Sequence, residues 1–113
     1  MRRSTDKVSF HKERFLIRLS GSDALVAVDG YMFEDPLTGF TLGVHKDCKG
    51  MWFIDCLRTG MWLACEKTRG RAYERYKRVR WKYASKLQAG DFNRQQEEFA
   101  DLVDDWEKSN GRP

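Results

Sequence analysis

The chain has 113 residues, of which 41% are hydrophobic and 13% aromatic, enough for one core and too few for two ordinary domains. That apolar content excludes a disordered chain. The net charge of +4 is compatible with an acidic partner without requiring one.

No run approaches the roughly 18 apolar residues of a membrane-spanning helix. The start Met1-Arg2-Arg3 is basic but leads into no apolar segment, so no signal peptide, no membrane association and a cytoplasmic location are expected. The three cysteines, Cys48, Cys56 and Cys65, are an odd number at spacings that match no usual zinc pattern. Free thiols in a reducing compartment are expected.

In chain order, residues 1 to 14 read as a loose polar arm, with a short ordered piece near Val8 and Phe10. Phe15, Ile17 and Leu19 alternate with Leu16, Arg18 and Ser20, the period of a half-buried strand. Gly21-Ser22-Asp23 is a turn cluster, and Ala24 to Val28 is a second apolar run. Asp29-Gly30 has the composition of a tight hairpin turn returning through Tyr31-Met32-Phe33; a bulge in one long strand is the alternative. Glu34 to Gly39 is a loop around Pro36.

Phe40, Leu42 and Val44 alternate with Thr41, Gly43 and His45, and Lys46 to Gly50 turns the chain. Met51 to Leu57 and Met61 to Cys65 follow as strands joined through Arg58-Thr59-Gly60, which predicts an antiparallel meander. Its core is expected to contain Phe40, Leu42, Trp52, Ile54, Met61 and Leu63. Met51-Phe53 and Trp52-Ile54 are both apolar, so pattern alone leaves the inward parity of that strand open.

The period then changes. Ala72, Tyr76, Val79, Tyr83 and Leu87 fall at steps of four, three, four and four, one face of a helix near residues 70 to 88. Thr68 is its expected N-cap and Gly90 its stop. Phe92, Gln96, Phe99, Val103 and Trp106 mark a second helix near 92 to 108, with Asp91 or Asn93 as candidate caps and Asn93 with Gln96 spaced as a capping box. The expected fold is α+β: a four- to five-stranded antiparallel meander followed by two C-terminal helices, spanning residues 15 to 108 as one domain, with a loose tail over 109 to 113.

The first helix and its approach carry Lys67, Arg69, Arg71, Arg75, Lys77, Arg78, Arg80, Lys82 and Lys86 against only Glu66 and Glu74. Arginine forks suit phosphate, and a row of cations gains affinity by releasing counterions from a nucleic acid. Trp81 lies about 180° from Ala72 on a helical projection, away from the apolar stripe, where it could stack on a base or lie under the second helix. Arg69, Arg71, Arg75, Arg78, Trp81 and Lys82 are therefore the candidate nucleic-acid-binding residues. The second helix has the opposite sign, with Glu97, Glu98, Asp101, Asp104, Asp105 and Glu107. It either lies antiparallel to the basic helix and neutralises it, or presents an acidic face that mimics DNA or repels a wrong partner.

Other chemistry is sparse. His45 and Cys48, with Asp47 between them, have the spacing of two metal ligands but no second pair, so no metal is expected. His45-Lys46-Asp47 is too compact for a phospholipase D pattern, and Asp55, Glu66 and Lys67 lack the residue that restriction-type nucleases place between acid and lysine. GxSxG, P-loop and GxGxxG motifs are absent from the sequence. A non-enzymatic binding protein without a cofactor is the expectation.

Residues 40 to 72 carry Phe40-Thr41-Leu42-Gly43-Val44-His45-Lys46-Asp47, then Trp52-Phe53-Ile54, Thr59-Gly60, Ala64, Thr68-Arg69 and Ala72. This third of the chain resembles small uncharacterised βββα-containing domains of phages and other mobile elements. The resemblance implies no catalytic residue. It implies a phage, prophage or plasmid context, in which such short proteins often act by binding, including as anti-defence inhibitors of a host nuclease complex.

Overall fold

In a computed structural model, which describes residues 8–19 and 24–113, the chain forms five strands and two helices. The strands are β1 (His11–Arg18), β2 (Leu25–Glu34), β3 (Thr41–Lys46), β4 (Trp52–Cys56) and β5 (Trp62–Glu66), followed by α1 (Arg69–Gln88) and α2 (Asn93–Asn110). The strands make one antiparallel sheet in the order β1-β2-β3-β4-β5. The expected α+β meander with two C-terminal helices is what the chain adopts. Among the described residues no helix is long and apolar enough to cross a membrane.

Three boundaries differ from expectation. Residues 11 to 14 are not a loose arm but the start of β1, pairing with Asp29 to Met32. Asp29-Gly30 is not a hairpin turn: β2 runs through it, with Asp29 opposite Arg14 and Gly30 opposite Glu13. The side chain that decides this is Phe15, whose ring lies over Gly30 and Gly43, so that a Cβ on either glycine would collide with it or with the Val44 carbonyl oxygen. Gly30 serves close packing here rather than a turn. Beyond the last β1–β2 pair the Leu19 N–H donates to the Ala24 carbonyl (3.0 Å); the expected turn cluster at 21 to 23 lies outside the described residues. Finally, α2 continues through residues 109 and 110, shortening the tail.

One sheet face carries Phe33, Leu42, Val44, Ile54, Cys56 and Ala64, and α1 lays Ala72, Tyr76 and Tyr83 on it; all are buried. Direct partners in register share a face, and Val44 stands opposite Ile54, itself opposite Ala64. The inward parity of β4 is therefore Ile54 with Cys56, and Phe53 looks the other way. Between Ile54 and Asp55 the register with β5 shifts, so Asp55 pairs with Trp62. Such a shift re-aims the following residues. Ala64 holds the core position opposite Ile54, while Met61, Leu63 and Trp52 are half-buried and pack against that core from its edge.

Thr68 caps α1 as expected, its Oγ1 accepting from the Arg71 N–H (3.1 Å). Gly90, at φ +88°, follows the helix end, a conformation that costs a residue without Cβ little. The expected caps of α2 do not form: Phe92 occupies the N-cap with no side-chain hydrogen bond, and Asn93 is already helical. Phe92 is held instead by stacking on Tyr83 (centroids 5.0 Å, 22°), which locks the α1–α2 corner. Further along α2, Phe99 is buried against the Gly60 turn.

Candidate functional site

The outer side of α1 holds the candidate residues. Arg71, Arg75, Arg78 and Lys82 are all exposed and fall within about 60° of one another around the helix. Trp81, with 54% of its surface in water, borders the stripe. These five share one surface. Arg69 is also exposed but lies on the opposite flank, its guanidinium carbon 4.8 Å over the Tyr31 ring and 6.0 Å from that of Phe10. It belongs to an aromatic clamp between α1 and the sheet, separate from the stripe.

Within the stripe, Arg75 Nε donates to Glu66 Oε2 (2.6 Å). That bond, with the nearby charge of Arg71, holds the Glu66 carboxyl below its usual range. Arg71, Arg78 and Lys82 form no ion pair with a carboxylate among the described residues, although Arg71 lies near enough to Glu66 to act on it through its charge. The neutralising ladder from α2 is not formed there: Glu97, Asp101 and Asp104 are exposed, while Glu98 pairs with Arg18 (3.7 Å) and with Arg94 of its own helix (2.9 Å).

Arg80 departs from the expected solvent-facing row. It is 6% exposed, and its Nη1 approaches Asp35 Oδ2 at 3.4 Å. The same oxygen accepts from the Tyr76 hydroxyl (2.5 Å), and Oδ1 accepts from the Leu37 N–H (2.9 Å). Burial alone would raise the Asp35 carboxyl, but these donors and the Arg80 charge hold it below its ordinary value. Burial and the adjacent carboxylate push the Tyr76 hydroxyl well above the tyrosine range. The network pins the middle of α1 to the β2–β3 loop, so the stripe rides on a fixed helix. Arg80 stands four residues after Tyr76 and three before Tyr83, which is the only signal in the sequence for its burial.

A second polar pair lies on the sheet face opposite the α1 core. His45 Nδ1 is 2.7 Å from Asp55 Oδ2, each side chain 7% exposed, and neither atom has another hydrogen-bond partner. Phe53 stacks on the imidazole (5.4 Å, 13°) and Phe15 meets it edge-on (6.3 Å, 74°). Burial pushes the Asp55 carboxyl up, and His45 offsets only part of that. With aromatic rings covering the pair, it has the surroundings of a structural contact. Among the described residues no group of three or more His, Cys, Asp or Glu side chains is placed to hold a metal ion. Cys56 is buried in the core, Cys48 is exposed in the β3–β4 turn, and the half-buried Cys65 thiol is pushed up by burial, then by Asp47 and Glu66. A thiol raised in this way is a poor nucleophile at neutral pH.

The fold and this surface define an α+β domain with an exposed cationic helix. No family model, curated protein or solved structure matches the chain.

Proposed function

We propose that this is a non-enzymatic binding protein that contacts nucleic acid through the outer face of α1. The observation that carries the reading is the exposed row Arg71, Arg75, Arg78 and Lys82, of which only Arg75 is tied to a carboxylate among the described residues. Cations spaced along one side of a helix can follow a phosphate backbone, and each phosphate neutralised releases condensed counterion. The network through Asp35 and Arg80 supports the reading by fixing the helix, which lowers the ordering cost of binding.

The test is binding of random-sequence DNA and RNA across a salt series. Replacing Arg71 and Arg78 by alanine is expected to weaken binding of all sequences and to lower the salt slope by roughly one to two units. A wild-type protein that binds neither DNA nor RNA at low salt would sink this function.

One observation favours a second reading. Glu97, Asp101, Asp104, Asp105 and Glu107 leave α2 with an exposed acidic side. Such a face suits an inhibitor or adaptor that occupies the basic channel of a host nuclease complex, a role in keeping with the resemblance of residues 40 to 72 to phage domains. Reversing the charge of Asp101 and Asp104 would abolish inhibition in that case and leave nucleic-acid binding intact or stronger.

A further inference from the structure

We infer that the surface takes single-stranded nucleic acid, one base stacking on the Trp81 indole while the flanking phosphates meet Arg78 and Lys82. This rests on the proposed nucleic-acid function and names its substrate class. Scattered exposed apolar residues are ordinary on protein surfaces, and an exposed tryptophan alone signifies little. What sets Trp81 apart is its setting.

The indole is 54% exposed on a helix whose inward face is already filled by Ala72, Tyr76 and Tyr83. Its neighbour Arg80 is buried, held toward Asp35, and carries its guanidinium carbon 5.7 Å from the Trp81 ring centroid. A cation on the ring polarises the π-system and restrains the side chain, so the indole is presented as a supported platform. Arg78 precedes Trp81 by one helical turn and Lys82 follows it directly, both exposed. Both positions lie on the stripe side of Trp81 around the helix. An aromatic platform beside two cations suits a single strand, in which each base is followed by a phosphate.

A duplex fits this arrangement less well. Its bases are paired and stacked inside, and exposing one costs a few kcal/mol of unpairing. A duplex would use the four cations and leave the indole idle. The charge pattern therefore accounts for affinity to either form, while the tryptophan accounts only for the single strand. Stacking is tolerant of base identity, so the site is sequence-independent.

The experiment uses the full chain with four labelled probes of equal length: a dT oligomer, an rU oligomer, a blunt duplex, and a strand of abasic sugar-phosphate. Wild type is expected to bind the dT or rU oligomer more tightly than the abasic strand. Trp81→Ala is expected to weaken binding of that oligomer by about 5- to 150-fold, the loss of one stacked base, while duplex and abasic binding change less than about twofold. Trp81→Phe should restore much of the lost affinity, and an unchanged melting temperature in both variants would show that the fold is intact. The arms for dT and rU separate DNA from RNA as the source of the strand. If wild type binds oligomer and abasic strand alike, or Trp81→Ala weakens every probe equally, the stacking site is overturned while the charged stripe stands. If wild type binds no probe, both fall.

Discussion

Asp55 approaches His45 across the β3–β4 pair, Oδ2 to Nδ1 at 2.7 Å, on the sheet face that α1 does not cover. His45 stands opposite Phe53 and Asp55 opposite Gly43, so the two are diagonal neighbours on one face. Gly43 leaves the space that the Phe15 ring fills, and Phe15 and Phe53 then exclude water from the pair. A polar contact this buried contributes little net stability when intact but is costly to break.

His45→Leu is accordingly expected to destabilise the fold by about 2–4 kcal/mol, because Asp55 keeps its burial and loses its one partner. The double variant His45→Leu/Asp55→Leu should be less destabilised than His45→Leu alone. Chemical denaturation of wild type, His45→Leu, Asp55→Leu and the double variant measures this. A double variant as unstable as the sum of the two single changes would show that the side chains are not coupled.

Acid stability should depend on Asp35. Its carboxyl lies below the ordinary value in the folded state, so the folded protein binds that proton less readily than the unfolded chain. The stabilisation is present above the unfolded value near 3.8 and is lost as pH falls through the folded one. Asp35→Asn should flatten the acid limb of a stability–pH curve below about pH 4 and lower stability at pH 7. An acid limb identical to that of wild type would place the titration elsewhere.

The alkaline limb has the opposite sign. Burial first, then the neighbouring Asp35 carboxylate, raises Tyr76; burial first, then Cys56, raises Tyr83. Both stay protonated in the fold while the unfolded chain ionises near 10.0. Stability is fully present below that pH and falls above it. Tyr83→Phe removes a hydroxyl that shares a 2.7 Å hydrogen bond with Thr59 Oγ1. It should lower stability by about 1 kcal/mol at neutral pH and make the decline above pH 10 shallower. Thermal melts from pH 7 to 11 would read both effects.

Two glycines give a control for the register of β2. Gly30→Ala would drive a Cβ into the Val44 carbonyl oxygen and against the Phe15 ring, so backbone must move, at a cost of about 1–3 kcal/mol. Gly70→Ala, in the first turn of α1, meets nothing within 4 Å and should be neutral or stabilising by up to about 1 kcal/mol. Comparable melting temperatures for the two variants would argue that β2 does not run continuously through Gly30.

Much of the fold was legible because periodicity reports burial. The alternation Phe40, Leu42, Val44 and the four-three-four spacing from Ala72 each encode one face of one element, and short turns leave a meander as the simplest connection. The candidate stripe on α1 was legible for the same reason: solvent-facing cations recur at helical steps. Phe15 was read as a strand residue, but its reach across Gly30 to Gly43 joins β1, β2 and β3, and no pattern within one strand contains it. The composition Asp29-Gly30 suits a turn locally and was overridden by that ring.

The sequence by itself determined the type and order of the elements, the apolar face of each helix and the sign of charge on each, because these follow from residue spacing along a single element. Tertiary structure alone decided that Arg80 leaves the cationic row to meet Asp35, that Arg69 clamps Tyr31 rather than joining the stripe, and that His45 meets Asp55. It also decided that Glu98 turns to Arg18 while Arg71, Arg78 and Lys82 stay without a carboxylate from α2. Each of these is a pairing between different elements. Which charges meet depends on how side chains fill a shared volume, and that volume exists only once α1, α2 and the sheet have packed together.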